Sequence, residues 1–379
     1  MTLAETQQNM KKWAAYLAVA IVVFYGGRFV LRSGYTIIRM IWPEKVESPI
    51  AGFGMLPKLN MTSIKLEGNP EYILELPNSK MPNFPDRQYV YKISEPLPNF
   101  LAEQDMKNLA EEMLFPTTYV KVDDATFKWT DGNRARSLNA NIVKRDFALE
   151  TNQDRIATIA NNNTTINNVD AETKVIQFVK SNNLMSGIDS ENIFTTSVVS
   201  DIFIGKIRES RTATDRSKII KVNVYRNIIE GDNKFPVLGR NPRDSMVSFY
   251  VTNAEEPENF PIVNYIYWPI NYEDSGKSEY GLSPITAVWQ TIQQGNGVIS
   301  YLRTENSDYY DPLQTVNVSK VEIRDVYMAY YEQREYSPFL QPIYVFEGVI
   351  TTAPEEGKIS ETGSIVIYYP AVSGEHVQQ

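Results

Sequence analysis

The sequence contains no cysteine and a single histidine, and both facts restrict the chemistry open to the protein. Without cysteine there can be no disulfide, no thiolate metal site and no cysteine nucleophile. The one histidine, His376, lies in a polar stretch at the end of the sequence. A rigid catalytic or metal-binding geometry is hard to build there. A histidine-based triad and a histidine zinc site are therefore close to excluded.

An excess of positive charge is also missing. The chain has 46 acidic against 37 basic residues, which gives a formal net charge of -9. A broad basic surface for nucleic acid is therefore not expected. Apolar sequence, in contrast, is well represented, since 42% of the 379 residues are hydrophobic. That is enough for a sizeable core in two or three domains.

The longest apolar run lies near the N-terminus, where residues 13–27 carry no charge. As a helix this run would measure about 22 Å, which is shorter than the ~30 Å hydrocarbon layer of a bilayer. If the helix continues, three arginines fall near one face, where they could reach the headgroups. We therefore expect a transmembrane and juxtamembrane helix at 13–42. The predicted membrane-interface residues are Lys11, Lys12, Trp13, Arg28, Arg32, Arg39 and Trp42. A cleaved signal peptide and a buried core helix are the alternatives.

The rest of the sequence divides by composition into a proline-rich part and three stretches that share one theme. Each of the three begins with a short amphipathic helix and continues with alternating strands, which is typical of a helix packed on an antiparallel sheet. The predicted fold class is therefore α+β, with a transmembrane helix followed by tandem helix-on-sheet modules. An asparagine-rich segment at 161–168 is interpreted as a linker. The predicted domains are a head at 1–12, the helix at 13–42, a stalk at 43–87, modules at 88–152, 169–272 and 280–371, and a tail at 372–379.

One predicted hairpin, "DVYMAYYEQREYSPFLQPIYVFEG" at 325–348, is rich in tyrosine and holds a proline in its second strand. Because Pro342 cannot donate a ladder hydrogen bond, we expect an edge strand or a bulge there. The aromatic side chains either pack against a helix or a neighbouring module, or form an exposed patch that binds a partner or a glycan. The candidate partner-binding residues are Tyr327, Tyr331, Tyr336 and Tyr344.

The C-terminal part resembles a known family. The stretches "AVWQTIQQGNGVI", "VEIRDVYMAYYE" and "LQPIYVFEG" are similar to the PepSY-like modules of single-pass regulators of the Gram-positive cell-wall two-component system and of related envelope proteins. The resemblance covers 280–350 well and 88–150 more loosely. It implies a cytoplasmic N-terminus, a large extracytoplasmic domain at the cell membrane and no catalytic residues. The charge distribution alone does not decide this orientation, since lysines and arginines flank the apolar run on both sides.

No motif predicts a cofactor or a metal. The "SGKS" at 275–278 lacks the early glycine of a phosphate loop, because Asn271 occupies that position. We therefore expect a non-catalytic, membrane-anchored cell-envelope protein that contacts lipid and binds or regulates a membrane or envelope protein. A homo-oligomer is compatible with the sequence. The alternatives are a structural subunit of a surface assembly and a wall hydrolase that uses paired carboxylates.

Overall fold

The computed structural model describes residues 51–77, 80–93, 100–144, 146–181, 193–203, 206–210, 214–254, 262–267, 272–305, 315–333, 336–354 and 359–378. Among these residues there are twenty strands and four α-helices. The helices are α1 (Ala102–Glu112), α2 (Gln153–Asn162), α3 (Asn168–Ser181) and α4 (Ile285–Gln293). The strands are β1 (Leu66–Glu67), β2 (Glu71–Leu74), β3 (Arg87–Ile93), β4 (Tyr119–Lys121), β5 (Thr126–Asp131), β6 (Arg136–Asn141), β7 (Asp146–Thr151), β8 (Ile166–Asn167), β9 (Ile193–Phe203), β10 (Lys206–Glu209), β11 (Arg216–Ser217), β12 (Ile219–Glu230), β13 (Asn233–Leu238), β14 (Val247–Val251), β15 (Ile262–Tyr267), β16 (Tyr272–Gly281), β17 (Val298–Thr304), β18 (Val316–Tyr331), β19 (Phe339–Thr352) and β20 (Thr362–Pro370).

The predicted α+β class is wrong, because the chain is mostly β-sheet. Nine strands form one antiparallel sheet, here called the large sheet, in the order β4-β5-β6-β7-β15-β14-β12-β9-β10. This sheet joins strands from the predicted modules at 88–152 and 169–272 through the pairing of β7 with β15. The two stretches also share one hydrophobic core. They are therefore parts of one sheet and not tandem modules.

The core of the large sheet lies between its inner face and two helices. On α1, Met106, Leu109 and Ala110 are buried because their spacing places them on one side of the helix. On α3, Ala171, Val175 and Val179 are buried in the same way. These six residues pack against alternating apolar side chains of the strands, the largest of which is Trp129.

A second sheet, here called the C-terminal sheet, has the order β17-β20-β19-β18. Helix α4 covers one face of it through Val288, Trp289 and Ile292, and the Trp289 ring stacks on Phe346 at 6.0 Å. Along its outer side, β18 pairs in parallel with the short strands β1, β2 and β13. Helix α4 thus packs on an antiparallel sheet that is part of a larger β structure.

The proline-rich stretch is not an extended stalk in its described part. Strand β2 pairs with β18, and Leu56, Leu59 and Leu76 are buried. The predicted tail also packs, since Leu56 and Val377 form a parallel bridge. Strand β3 does not enter a first module, because it pairs with β16 and β19. Burial of these apolar side chains explains why the segment lies against the sheet.

None of the helices in the described ranges combines the length and the apolar character that crossing a bilayer requires. The predicted head at 1–12 and helix at 13–42 lie outside those ranges. The same holds for Lys11, Lys12, Trp13, Arg28, Arg32, Arg39 and Trp42. The structure gives the single-pass anchor no support.

Candidate functional site

The four tyrosines predicted to bind a partner do not form an exposed patch. Tyr344 is 1% exposed, and its hydroxyl donates to the Ser283 carbonyl at 3.0 Å. Tyr331 is 4% exposed, and its ring packs edge-on against Tyr368 at 6.1 Å. Tyr327 is half-buried, and its hydroxyl donates to the Glu347 carboxylate at 2.7 Å. Only Tyr336, of these four, is well exposed.

The burial of these tyrosines follows from the position of their strands. Strands β18 and β19 lie inside the C-terminal sheet, with α4 on one face and a cluster containing Leu59, Tyr225 and Leu238 on the other. Successive residues of a strand point to opposite faces, so both sets of side chains are covered. The alternative interpretation, aromatic strands packed against neighbouring elements, therefore describes Tyr331 and Tyr344.

A different surface of the described chain exposes apolar side chains at the end of a sheet. Strand β4 is the last strand of the large sheet among the described residues, and it pairs with β5. Val120 and Val122, two positions apart, point away from the core and are 65% and 59% exposed. Most other exposed apolar side chains lie at helix starts or in loops, for example Phe100 and Ile359, and Ile229 lies near the end of β12 at 39% exposed.

The valines belong to a face made by β4, the residue after it, β5, β6 and β7, which is here called the outer face. Pairing aligns Val120 with Lys128, Lys128 with Asn139, and Asn139 with Ala148, so these side chains form a row across four strands. The surrounding side chains are short and mostly uncharged, and they range from half-buried to exposed. The outer face comprises Val120, Val122, Thr126, Lys128, Thr130, Ser137, Asn139, Asn141, Asp146, Ala148 and Glu150.

One end of the outer face is fixed by a polar contact between β4 and α1. The Tyr119 hydroxyl donates to the Glu103 carboxylate at 2.8 Å, and Lys107 lies 2.7 Å from the same carboxylate. Hydrogen bonds from Lys107 and Tyr119 lower the pKa of Glu103, and the Glu103 carboxylate raises the pKa of Lys107. These side chains face the helix, which leaves the alternate residues of β4 on the outer face.

The hairpin between β5 and β6 is fixed by buried charges. Arg136 donates to the Met113 carbonyl at 2.6 Å and to the Leu114 carbonyl at 3.1 Å, both at the end of α1. Its guanidinium also contacts Asp131, which is 3% exposed. Burial raises the pKa of Asp131, but hydrogen bonds from Arg134 and the charges of Arg134 and Arg136 together lower it. The hairpin is therefore tied to the helix end whose carbonyls lack helical partners.

The sequence does not single out Val120 and Val122. In "TTYVKV" the apolar and aromatic residues alternate with polar ones only in part, so the pattern alone does not show which face α1 covers. The contact of Tyr119 with Glu103 shows which face of β4 is covered by α1. Glu103, an acidic residue in the first turn of α1, is the sequence signal that points to this contact.

The described residues hold no group of three or more His, Asp or Glu side chains arranged to bind a metal ion. A tyrosine and carboxylate cluster lies near the end of β12, where the Tyr91 and Tyr330 hydroxyls both donate to Glu230, at 2.8 and 2.9 Å. Burial raises the pKa of Tyr330 well above its usual value, and the Glu230 charge adds to the effect. Such a tyrosine is a structural hydrogen-bond donor and a poor nucleophile.

Comparison with known proteins gives few relatives. No protein-family model and no curated protein matches the sequence. A solved structure, that of an uncharacterized protein from Eubacterium rectale, matches over 76% of this chain and 84% of its own. The two share 9% sequence identity, with a TM-score of 0.43. A similarity at this level carries no argument about function, and the PepSY-like resemblance stays a prediction.

Proposed function

We propose that the protein works by binding another protein at the outer face, without catalytic chemistry of its own. The observation that carries the proposal is the exposure of Val120 and Val122, at 65% and 59%, on a sheet face that α1 and the β5–β6 hairpin hold in place. Exposed apolar side chains on a rigid surface favour a partner that covers them. Covering two valines to this extent is worth about 1–2 kcal/mol each.

The size of the outer face predicts the strength of the complex. Four strands about 4.8 Å apart and about six residues long cover roughly 300–400 Å². A standard interface buries about 800 Å² on each partner. The outer face by itself therefore fits a weak or transient complex, and a tight one would need further surface beside it.

The chemistry of the outer face favours a partner with a flat surface that is apolar at its centre. The short hydroxyl and amide side chains, such as Ser137 and Asn139, allow close approach and offer hydrogen bonds. The face has one basic and two acidic side chains, Lys128, Asp146 and Glu150, so its net charge is small and charge steering contributes little. The PepSY-like resemblance makes proteins of the cell envelope the first partners to test. A second copy of the chain, as expected for a structural subunit, is the other partner to test.

Site-specific photocrosslinking in the cells of origin tests the proposal. A photoreactive amino acid replaces Val120, and the same amino acid replaces Ile359 as a matched control, because Ile359 is also an exposed apolar residue, at 91%. We expect discrete crosslinked species from position 120 and not from position 359. Adding Val122→Lys to the position-120 variant should reduce the yield by about tenfold.

Two outcomes would contradict the proposal. One is an absence of crosslinks from position 120, and the other is the same set of crosslinks from both positions. The mass of the crosslinked species separates the partners, since self-association gives a doubled mass. The stability of the Val122→Lys variant should stay within about 0.5 kcal/mol of the wild type, because an exposed side chain is changed.

A further inference from the structure

A small cavity lies where the β12–β13 hairpin meets the end of β18. Two ionisable side chains, Arg226 from β12 and Glu332 from the residue after β18, contribute to its wall. The remaining lining is mostly apolar. It consists of Val224, Tyr225, Val237, Gly239, Ser245, Met246 and Val247.

Glu332 is buried with one carboxyl oxygen unsatisfied. The residue is 6% exposed, and its Oε1 has no hydrogen-bond partner among the described residues. Its backbone N–H donates to the Leu238 carbonyl at 2.9 Å, which fixes the residue against β13. Burial raises the pKa of Glu332 to about 7, and the positive charge of Arg226 opposes the rise without cancelling it. The carboxyl therefore exchanges its proton close to neutral pH.

The elements around the cavity bring few other charges to Glu332. Strand β13 contributes Val237 and strand β14 contributes Val247, both apolar. In the loop between these strands, Arg243 lies 3.3 Å from Glu347, and Asp244 contacts Lys221. Within the described ranges, Arg226 is the charged side chain whose field acts on the Glu332 carboxyl.

The junction between β13 and β18, which lies beside Glu332, is short. Strand β13 pairs with β18 through two positions, Val237 with Tyr330 and Leu238 with Tyr331. A short parallel ladder opens at a lower free energy than the long antiparallel ladders of the same sheet. A change in the charge state of one adjoining side chain can therefore alter its opening measurably.

We propose that Glu332 and its cavity form a proton-operated latch between the β12–β13 hairpin and strand β18. With its proton, the carboxyl is a neutral group that the apolar wall tolerates. Without it, a buried carboxylate with an unsatisfied oxygen is stabilised when water reaches it. Loss of the proton therefore favours opening of the junction, and the hairpin loosens as the pH rises through neutrality.

Hydrogen exchange of the full chain tests the latch. The measurement compares the protection of the segment 233–239 at pH 6 and pH 8, after correction for the intrinsic pH dependence of amide exchange. If opening exposes Glu332 fully, a shift from an ordinary pKa of 4.5 to about 7 predicts that protection falls about tenfold between the two pH values. The segment 126–141 in β5 and β6 is the internal control and should not change.

The variant Glu332→Gln keeps the shape of the side chain and removes the titration. Its segment 233–239 should show the same protection at both pH values. The latch is refuted if the wild type shows no fall or if the variant shows the same fall. Should the variant not fold, the carboxyl ¹³C signal of Glu332 in the wild type decides the question. Titration at an ordinary glutamate pKa, or titration near pH 7 without a change in protection, would equally overturn it.

Discussion

Gly348, in the middle of β19, offers the sharpest test of the C-terminal sheet. A methyl group added there would lie 2.2 Å from the Glu322 carbonyl oxygen and 3.0 Å from the Ile323 Cα. Ordinary carbon contacts are about 3.5 Å or longer, so the backbone of β18 would have to move by about 1 Å. This movement is resisted, because β18 also pairs with β2 over the same residues. We expect Gly348→Ala to lower the free energy of unfolding by about 3 kcal/mol.

Urea unfolding followed by tryptophan fluorescence measures this change. With a slope of about 3 kcal/mol per molar urea, the midpoint should fall by about 1 M. Gly132→Ala is the matched control, because nothing lies within 4 Å of a methyl group at that position. The control should stay within about 1 kcal/mol of the wild type. If the two variants unfold at the same urea concentration, the close approach of β18 and β19 is refuted.

Three further changes test the buried polar groups. Because the folded protein keeps the Glu332 proton that the unfolded chain releases above pH 4.5, the contribution of Glu332 to stability should be largest below that pH and should be lost as the pH rises to about 7. The full loss is about 3 kcal/mol at 1.36 kcal/mol per unit of pKa shift, and urea titrations at pH 5 and 8 should show most of it as the difference between the wild type and Glu332→Gln. Arg136→Ala should cost about 2–3 kcal/mol, since it removes one of the two guanidinium partners of buried Asp131 and the donor to the Met113 carbonyl; Lys128→Ala, on the exposed face, serves as its control in thermal unfolding. Tyr344→Phe should cost about 1 kcal/mol in the same assay, because it removes only the hydroxyl that donates to Ser283, and a change below 0.3 kcal/mol would count against that hydrogen bond.

The sequence predicts the elements that depend on local pattern. Helix α4 follows Ser283 and Pro284 and ends before Gly295, which has a φ of +81°. The hairpin of β5 and β6 turns at Asp131 and Gly132, a residue pair that is typical of tight turns. Each of these depends on residues that are neighbours in the chain, so a short window contains the information.

No short stretch of sequence shows which distant strands pair with each other. Strand β3 looks like the start of a first module, yet Tyr89 pairs with Glu279 in β16. The division into modules fails for the same reason, since β7 and β15 are joined only in the fold. The asparagine-rich segment interpreted as a linker contains the end of α2, which runs to Asn162. The helix begins after Asn152, whose side chain accepts from the Asp154 N–H at 2.9 Å. Asparagine has a low helix propensity, and the burial of Ile156 and Ile159 overrides it.

The candidate site is harder to predict than the fold. Alternation in β18 shows that tyrosines lie on two faces, but the sequence does not state whether both faces are covered. Tyr331 and Tyr344 are buried because the proline-rich segment and α4 reach the sheet from distant parts of the chain. Glu332 has no unusual sequence context either, and its raised pKa comes from burial in the folded state.

Pro342 shows how the C-terminal sheet accommodates a residue that cannot donate a backbone hydrogen bond. The residue does not lie at an edge, since β19 pairs with β18 at this position, opposite Tyr330. On the other side, β19 changes its neighbour from β3, at Leu340, to β20, at Ile343. The Pro342 carbonyl accepts from the Ala371 N–H at 3.0 Å. Pro342 has no N–H to donate to the Ala371 carbonyl in return. That carbonyl accepts from the Ser283 N–H at 2.8 Å instead.

The hydrogen bonds around Pro342 explain how α4, β20 and β3 are placed at this end of the C-terminal sheet. Because Ser283 takes the free acceptor, the start of α4 is fixed to the end of β20. Strand β3 pairs with β19 just beyond the place where β20 stops pairing with it, so β3 joins the same sheet. The bridge between Leu56 and Val377 then closes the same end of the structure. The C-terminal sheet is thus enclosed by segments from both ends of the described chain. On the outer face of the large sheet, in contrast, Val120 and Val122 stay exposed. This contrast is why we place the partner on the outer face.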